Sequence, residues 1–525
     1  MDGVPAIEME DFASIIAKGY DEQAASGFRP RSDLPAHPIA VPLDWDMDPF
    51  QDRNWSFQLH AWRMLPRIWG RYFSSERDSR YLREAMGFIV DWHRFHYVEG
   101  RTSRFGWYDM AAGLRAMHLA MVLCLVEDGQ ADLTDEERVA LDVLVQAHLD
   151  ALRDKSFISE GNHGVFQMHG LQLLSIASGH FARDNAYTSE TLRELLRAQF
   201  TSQAVHTENS PYYHLFGIRL FSGIRPGLFP DVAEDIAATL ARAKELSAWL
   251  SFPDGTILNV GDSEGKGVPM PRARQLAAEF VGKTGRQYAS VDLAASGYCV
   301  VRTVPGTPAA RARALYVVGS HHIDSHSHAD ELSFVYFHDG APLFIDSGKY
   351  SYNKDRLREY FVSDHAHNLL VLEDRPHAPS GTRLRGSALT HFRPEESGYR
   401  IKGVVRRGSD FRHSRTIVYQ PDARIAIRDH VETPDRSKRV TLFHLAEDAE
   451  AVAREAHVDI LRKGRVVARI RPRGTPERIE VVRGVETPHE FQGWFSPRYR
   501  QKVPASVVKI VYPPEQSLIW TAITF

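Results

Sequence analysis

The chain has 525 residues, 43% hydrophobic and 25% charged, so it is a globular sequence too long for one core, and two or three domains are expected. A formal net charge of −3 with pI near 6.8 excludes the global basic field of a nucleic-acid binder and argues more weakly against heavily sulfated partners. Cys124 and Cys299 stand alone in apolar surroundings, which excludes a disulfide framework. No apolar run reads as a membrane span. The first ten residues lack the basic and apolar regions of a secretory leader. The expected location is the cytoplasm if this N-terminus is native, and the periplasm if a leader has been removed.

In chain order, residues 1–45 read as an extended arm, rich in proline from Pro30 to Pro42. Residues 46–270 read as helical. Glu136–Leu152 carries apolar residues at helical spacing, and over Val232–Leu250 the side chains of Ile236, Leu240, Leu246 and Leu250 fall near one face. The period changes after Pro253. Segments 296–302, 312–318, 332–337, 424–429, 458–472 and 507–512 alternate or run as β-branched and aromatic residues, with turn residues between them. Residues 290–525 therefore read as an antiparallel β-sandwich. The boundary falls between Gly261 and Leu293, and Pro271–Phe280 reads as a last helix or a linker.

The chemistry concentrates between Asp324 and Asn368. His326 and His328 are two apart, a spacing that puts both on one face of a strand. Asp346 ends an apolar run, and His367 follows a loop bearing Arg358. Two imidazoles and a carboxylate suit a zinc-like divalent ion, with one histidine left over for chemistry. A chain with 25 histidines also clusters some of them by chance.

The pattern H-x-H-A-D-x-x-S-F (His326–Phe334), P-L-x-x-D-x-G-x-Y-x-Y (Pro342–Tyr352) and R-x-Y-F-x-S-x-x-A-H-N (Arg358–Asn368) resembles the heparinase II/III-type polysaccharide lyases. Four upstream blocks, Asp48–Trp55, Asn162–Gln167, Glu208–His214 and Pro253–Ser263, resemble the family in the same order, so the likeness covers most of the chain. It implies a multidomain α+β fold, an N-terminal α/α toroid followed by an antiparallel β-sandwich. It also implies β-elimination on a uronic-acid glycan. That reaction needs a donor to the uronate carboxylate, a base, an acid for the leaving oxygen and a groove for the sugar.

By this resemblance Asn162 is the carboxylate neutraliser, although by residue type alone it reads as a helix cap. Tyr213 is the acid, or both acid and base, with its pKa lowered by neighbouring positive charge. His214 polarises it or touches substrate, and His326 is the base working opposite the tyrosine. His328, Asp346 and His367 hold one divalent ion, zinc by ligand type and structural in role, with Asp324 and Asp330 in reserve. Arg53, His60, Trp107, Tyr108, Arg115, Tyr212 and Arg358 are the expected sugar contacts. The partner implied is a uronic-acid glycan, with no nucleic acid or membrane, on a monomer or homodimer.

Two other readings stay open at this point. Asp109, Glu160 and Glu208 offer the carboxylates of a glycoside hydrolase on a toroid. A non-catalytic glycan-binding or polysaccharide-assembly protein is the other, although every candidate catalytic residue is present.

Overall fold

In the computed structural model, which describes residues 4–264 and 278–525, the period-3.6 half of the chain forms successive helices. These are α1 (Tyr20–Ser26), α2 (Arg53–His60), α3 (Leu65–Ser74), α4 (Ser79–His93), α5 (Asp109–Glu127), α6 (Asp135–Arg153), α7 (Asn162–Ala177), α8 (Phe181–Gln199), α9 (Pro211–Ser222) and α10 (Ala233–Ser247). A capping box starts α6: Thr134 accepts the Glu137 N–H, and the Glu137 carboxylate accepts the Thr134 N–H. Helix α5 is as long and apolar as a membrane span, contrary to the sequence expectation. It is a core helix, buried without interruption from Ala111 to Val122. It packs on α7 almost backbone to backbone, since a Cβ added at Gly170 would lie 2.2 Å from the Gly113 carbonyl oxygen. The N-terminal arm is not extended throughout. A 3-10 turn at Met9–Ile15 and α1 fold it, and Arg225 clasps both oxygens of buried Asp11 at 2.9 Å.

The period-2 half forms sheets. One is built from β1 (Phe280–Val281), β2 (Gln287–Leu293), β3 (Tyr298–Thr303), β4 (Arg313–Val318), β5 (Phe334–His338) and β6 (Ala341–Phe344), in that order. Helix α11 (Arg356–Val362) follows, then β7 (Leu370–Leu372), β8 (Leu389–Glu395), β9 (Gly398–Arg407), β10 (Phe411–Gln420), β11 (Arg424–Glu432), β12 (Arg439–His444), β13 (Ala449–Ala453), β14 (Val458–Arg462), β15 (Arg465–Arg473), β16 (Arg478–Arg483), β17 (Ser506–Tyr512) and β18 (Leu518–Thr524). An eight-stranded sheet runs β8-β9-β10-β11-β18-β15-β14-β13, and a four-stranded one β16-β17-β12-β7. Ile417, Tyr419, Ile425, Ile427, Ile470, Ile519 and Ile523 point from the larger sheet into one hydrophobic core.

The chain divides into two compact units, Met1–Gln199 with Arg219–Leu240, and Phe200–Ile218 with Ala241–Phe525. These units are drawn by contact and differ from the division by sequence period into 1–45, 46–270 and 290–525. The second unit draws in helical sequence because its strands bond to it. Arg302 donates to the Ala248 carbonyl at 2.7 Å, Tyr316 to that of Ser251 at 2.5 Å, and Gln203 to that of Asp292 at 3.0 Å. Of the helix or linker expected over Pro271–Phe280, residues 271–277 lie outside the described residues, and Phe280 opens β1.

Candidate active site

Within the second unit the polar cluster is organised by Asp262, to which the sequence reading gave no role. Gly261 precedes it at φ +54°, with a Cβ position 2.5 Å from the Asn209 carbonyl oxygen, so no other residue fits there. Asp262 is fully buried. Its Oδ2 accepts from His326 Nδ1 at 2.8 Å, its Oδ1 from His328 Nε2 at 3.0 Å, and the Arg358 guanidinium grips both oxygens at 2.6 and 3.0 Å. Burial raises this carboxyl, but the two imidazoles and the guanidinium outweigh it and hold it well below the usual carboxylate range. Arg358, expected on the sugar, is thus committed to Asp262 and acts by positioning.

His326 and His328 do not lie on a strand. They occupy a loop, with His326 in the left-handed region at φ 58°. Their convergence comes from Asp262 and from Asn209, whose amide donates to the Ile323 and Ser325 carbonyls at 2.7 and 3.2 Å and accepts from Ser320 and the His322 N–H, each at 2.9 Å. Asp324, a reserve ligand in the sequence reading, is instead turned outward onto Arg385.

Tyr213 lies on His326 rather than opposite it, with ring centroids 3.7 Å apart and planes at 19°. Its hydroxyl is 3.1 Å from that of Tyr352, which accepts from Lys349 Nζ at 3.2 Å. Lys349 is paired with Glu264 at 2.8 Å and faces the rings of Tyr212, Tyr352 and Tyr499. The expected lowering of the Tyr213 pKa is corrected. Burial, then the Asp262 and Glu208 carboxylates, push it up against the bond to Tyr352. The phenol keeps its proton and is therefore a donor. His326 is the complement: with Nδ1–H given to Asp262, its Nε2 is the ring's acceptor, 3.9 Å from the Glu208 carboxylate. His214 has no such freedom. It is fully buried, its Nε2 donates to the Ala243 carbonyl at 2.9 Å, and its Nδ1 accepts the His206 N–H at 3.2 Å, so it braces the backbone and touches neither Tyr213 nor the surface.

One ligand atom from each of buried His328, Asp346 and His367 lies within 4.8 Å of the others. His328 Nδ1 and His367 Nε2 are buried without a hydrogen-bond partner, as nitrogens awaiting an ion would be. Asn368 fixes the frame by donating to the Phe334 and Ile345 carbonyls at 2.7 and 2.9 Å and accepting the His444 N–H at 2.6 Å. The donor set fits a divalent metal ion, with Asp262 orienting His328 from behind. His328→Ala, Asp346→Ala and His367→Ala are each expected to strip the ion and lower the melting temperature, whereas His326→Ala keeps both. Elemental analysis and melting curves on the four variants check this.

In the first unit, Asn162 is the first residue of α7 and Gly161 occupies the cap position, so Asn162 is not the cap its type suggests. Arg53 and Trp107 are exposed, and Arg53 donates to the half-buried Tyr108 hydroxyl at 3.3 Å. His60 and Arg115 are withdrawn from any sugar. His60 is buried, bonded to the Trp45 carbonyl at 2.7 Å and to the Trp92 indole at 3.3 Å. Arg115 is fully buried between Trp62, Trp92 and Trp107 and donates to the His60 and Gly106 carbonyls at 2.7 Å and to His148 at 3.0 Å. Burial brings its pKa down to about 9. Arg115→Met orphans three acceptors at once, an expected loss of about 3 kcal/mol or more. Urea unfolding measures it; a raised KM with unchanged stability is what a sugar contact would give instead.

Sequence comparison agrees with this architecture over nearly the whole chain. The family model described as Heparinase II/III N-terminus matches residues 20–281, and that described as Heparinase II/III-like, C-terminal, matches residues 285–521. No curated protein matches in a sequence search. Among solved structures, one of heparinase III aligns at 15% identity with TM-score 0.70 over all of this chain and 86% of its own. A second heparinase III aligns at 17% identity and TM-score 0.66, covering 99% of this chain and 84% of that one. A heparan sulfate lyase from Pedobacter heparinus aligns at 15% identity and TM-score 0.65, covering 96% and 82%. The shared fold is an α/α toroid with an antiparallel β-sandwich.

Proposed function

This chain belongs to the heparinase II/III family and is a polysaccharide lyase, and we propose that it cleaves a uronic-acid glycan by β-elimination with His326 as base and Tyr213 as acid. The observation that carries this reading is the ring-on-ring pair itself. Asp262 leaves His326 Nε2 as an acceptor, and the raised phenol of Tyr213 remains a donor beside it. His326 takes the proton next to the uronate carboxylate. The electrons of that bond form the new double bond and expel the glycosidic oxygen, which takes the Tyr213 proton. Lys349, reaching Tyr213 through Tyr352, stabilises the phenolate left behind. Asn162 is assigned the carboxylate, whose acidic and enolate-like forms accept its amide proton. The bound ion, zinc by its nitrogen and carboxylate ligands, would brace the β-rich unit and supply no step of the elimination.

Of the three carboxylates that the hydrolase reading offered, Asp109 is not suited to be the general acid. Asp109 accepts from Ser159, from His163 at 3.1 Å and from the Met110 N–H at 2.5 Å. Burial raises its carboxyl, but those bonds win and hold it down, where it cannot protonate a leaving group.

A panel of heparan-, chondroitin-, hyaluronan-, alginate- and glucuronan-type polymers tests the proposal. At least one is expected to gain ultraviolet absorbance from the conjugated double bond. New reducing ends without absorbance, or binding without either, would sink it. On the responsive polymer Asn162→Ala should lower kcat far more than it raises KM, because the enolate-like state needs the donor most. A change in KM alone would reduce Asn162 to a groove contact.

A further inference from the structure

We infer a second glycan-binding site, sharing no residue with the Tyr213–His326 pair, on the outward face of the eight-stranded sheet, and it takes an acidic polysaccharide. Strand β18 forms its floor. Alternation sends Ile519, Thr521 and Ile523 inward and leaves Trp520, Ala522 and Thr524 facing out, with Trp520 41% exposed. Two neighbouring strands supply rails of arginine. The register pairs Arg428 of β11 and Arg473 of β15 with Trp520, Arg471 with Ala522, and both Arg424 and Arg469 with Thr524. Rows lie about 5 Å apart across the strands and about 7 Å apart along them, so five guanidinium groups line a lane roughly 14 Å long.

Of the five rail arginines, only Arg469 is spent on one of the protein's own acids among the described residues. Arg469 is bonded to Asp459 at 2.8 Å. Arg424 reaches the neutral Gln420 and Arg471 the neutral Thr524, while Arg428 stands 5.5 Å from the centre of the Trp520 ring. Among the described residues no carboxylate pairs with Arg424, Arg428, Arg471 or Arg473. Other arginines of this unit are matched, as in Arg375 with Asp410 and Asp435, or Arg400 with Glu395.

Unmatched forks beside an exposed indole specify the ligand. The forks suit carboxylate or sulfate, and the indole suits the apolar face of a sugar ring. Three rows in line call for anionic groups repeated along a chain, over small Ala426 and Ala522 that leave room for it. The overall charge of −3 favours a glycan over a nucleic acid, which needs a wider basic field. The site would hold polymer on the enzyme between turnovers.

The test uses affinity electrophoresis of the full chain carrying Tyr213→Phe, so that the polymer survives, through gels containing polygalacturonate, hyaluronan, heparan sulfate, duplex DNA or neutral dextran. Retardation is expected from at least one acidic polysaccharide and not from dextran. Trp520→Ala and the pair Arg471→Glu/Arg473→Glu should each weaken that binding about tenfold, with melting temperature unchanged and with weaker binding in high salt. In a chain with native Tyr213, the arginine pair should leave turnover of a short oligosaccharide unaltered. The inference is overturned if no acidic polysaccharide retards the protein, if both variants bind like their parent, or if DNA binds as tightly and ignores Trp520→Ala. Absorbance in the gel buffer reports separately whether Tyr213→Phe has stopped elimination, so a failure of the lyase assignment is seen apart from a failure of this one.

Discussion

Tyr213→Phe is expected to lower kcat by roughly two to four orders of magnitude, the usual worth of a positioned acid, while the protein folds and melts as before. The substitution removes one oxygen and keeps the ring, so the 3.7 Å stack on His326 survives. What disappears is the proton that burial and the nearby carboxylates keep on the phenol. Tyr352 does not stand in, although its hydroxyl is 3.1 Å away, because that hydroxyl lies between Lys349 and Tyr213 and its ring meets His326 only edge-on, at 5.7 Å. Steady-state rates by absorbance on the responsive polymer, with a melting curve, check the result. Near-normal turnover in a folded variant would remove Tyr213 from the reaction.

Asp262→Asn is expected to do more damage than loss of either histidine, because one carboxylate serves two imidazoles and a guanidinium. The amide can present its N–H to His326 Nδ1, which reverses the tautomer and moves the lone pair away from Nε2. Loss of the correct tautomer costs roughly 10³–10⁴ in rate. The same change unseats His328, and a carboxylate behind a ligand is worth about 10–100-fold in metal affinity. Arg358 loses its counter-charge in a mostly buried place, which costs about 3–5 kcal/mol. Asp262→Asn should therefore lose activity, metal and melting temperature together, whereas His326→Ala loses activity alone. Full metal content and a wild-type melting temperature in Asp262→Asn would show that Asp262 serves only the base.

Local pattern was legible where local forces decide. Helix α6 runs from Asp135 to Arg153 around the segment read as helical, and β3, β4, β11 and β17 fall on the segments read as strands. The two histidines were misplaced because alternation assumes a strand, and the left-handed turn at His326 is set by Asn209, more than a hundred residues earlier. His214, His60 and Arg115 looked reactive by residue type. Each satisfies its polar atoms on distant backbone inside a core, a solution that leaves no trace in neighbouring sequence. Asp262 was hidden for the opposite reason: a Gly-Asp pair reads as an ordinary turn. His328, Asp346 and His367 were expected together from the family resemblance, and their ligand atoms are brought within 4.8 Å of one another.

The interleaving of the two units makes the protein hard to dissect. The chain passes from one to the other after Gln199, returns after Ile218 and leaves again after Leu240. A single cut therefore never yields both units whole, and a fragment starting at residue 290 would keep His328, Asp346 and His367 while discarding Tyr213 and Asp262. The proposed pair Tyr213–His326 and its carboxylate come from three stretches, near residues 213, 262 and 326, so they meet only after long loops have closed. Newly made chains would carry no reactive histidine until the last of those loops is in place. Enzyme activity is thus a late reporter of folding, and grafting the β-rich unit onto another toroid would have to carry residues 200–218 with it.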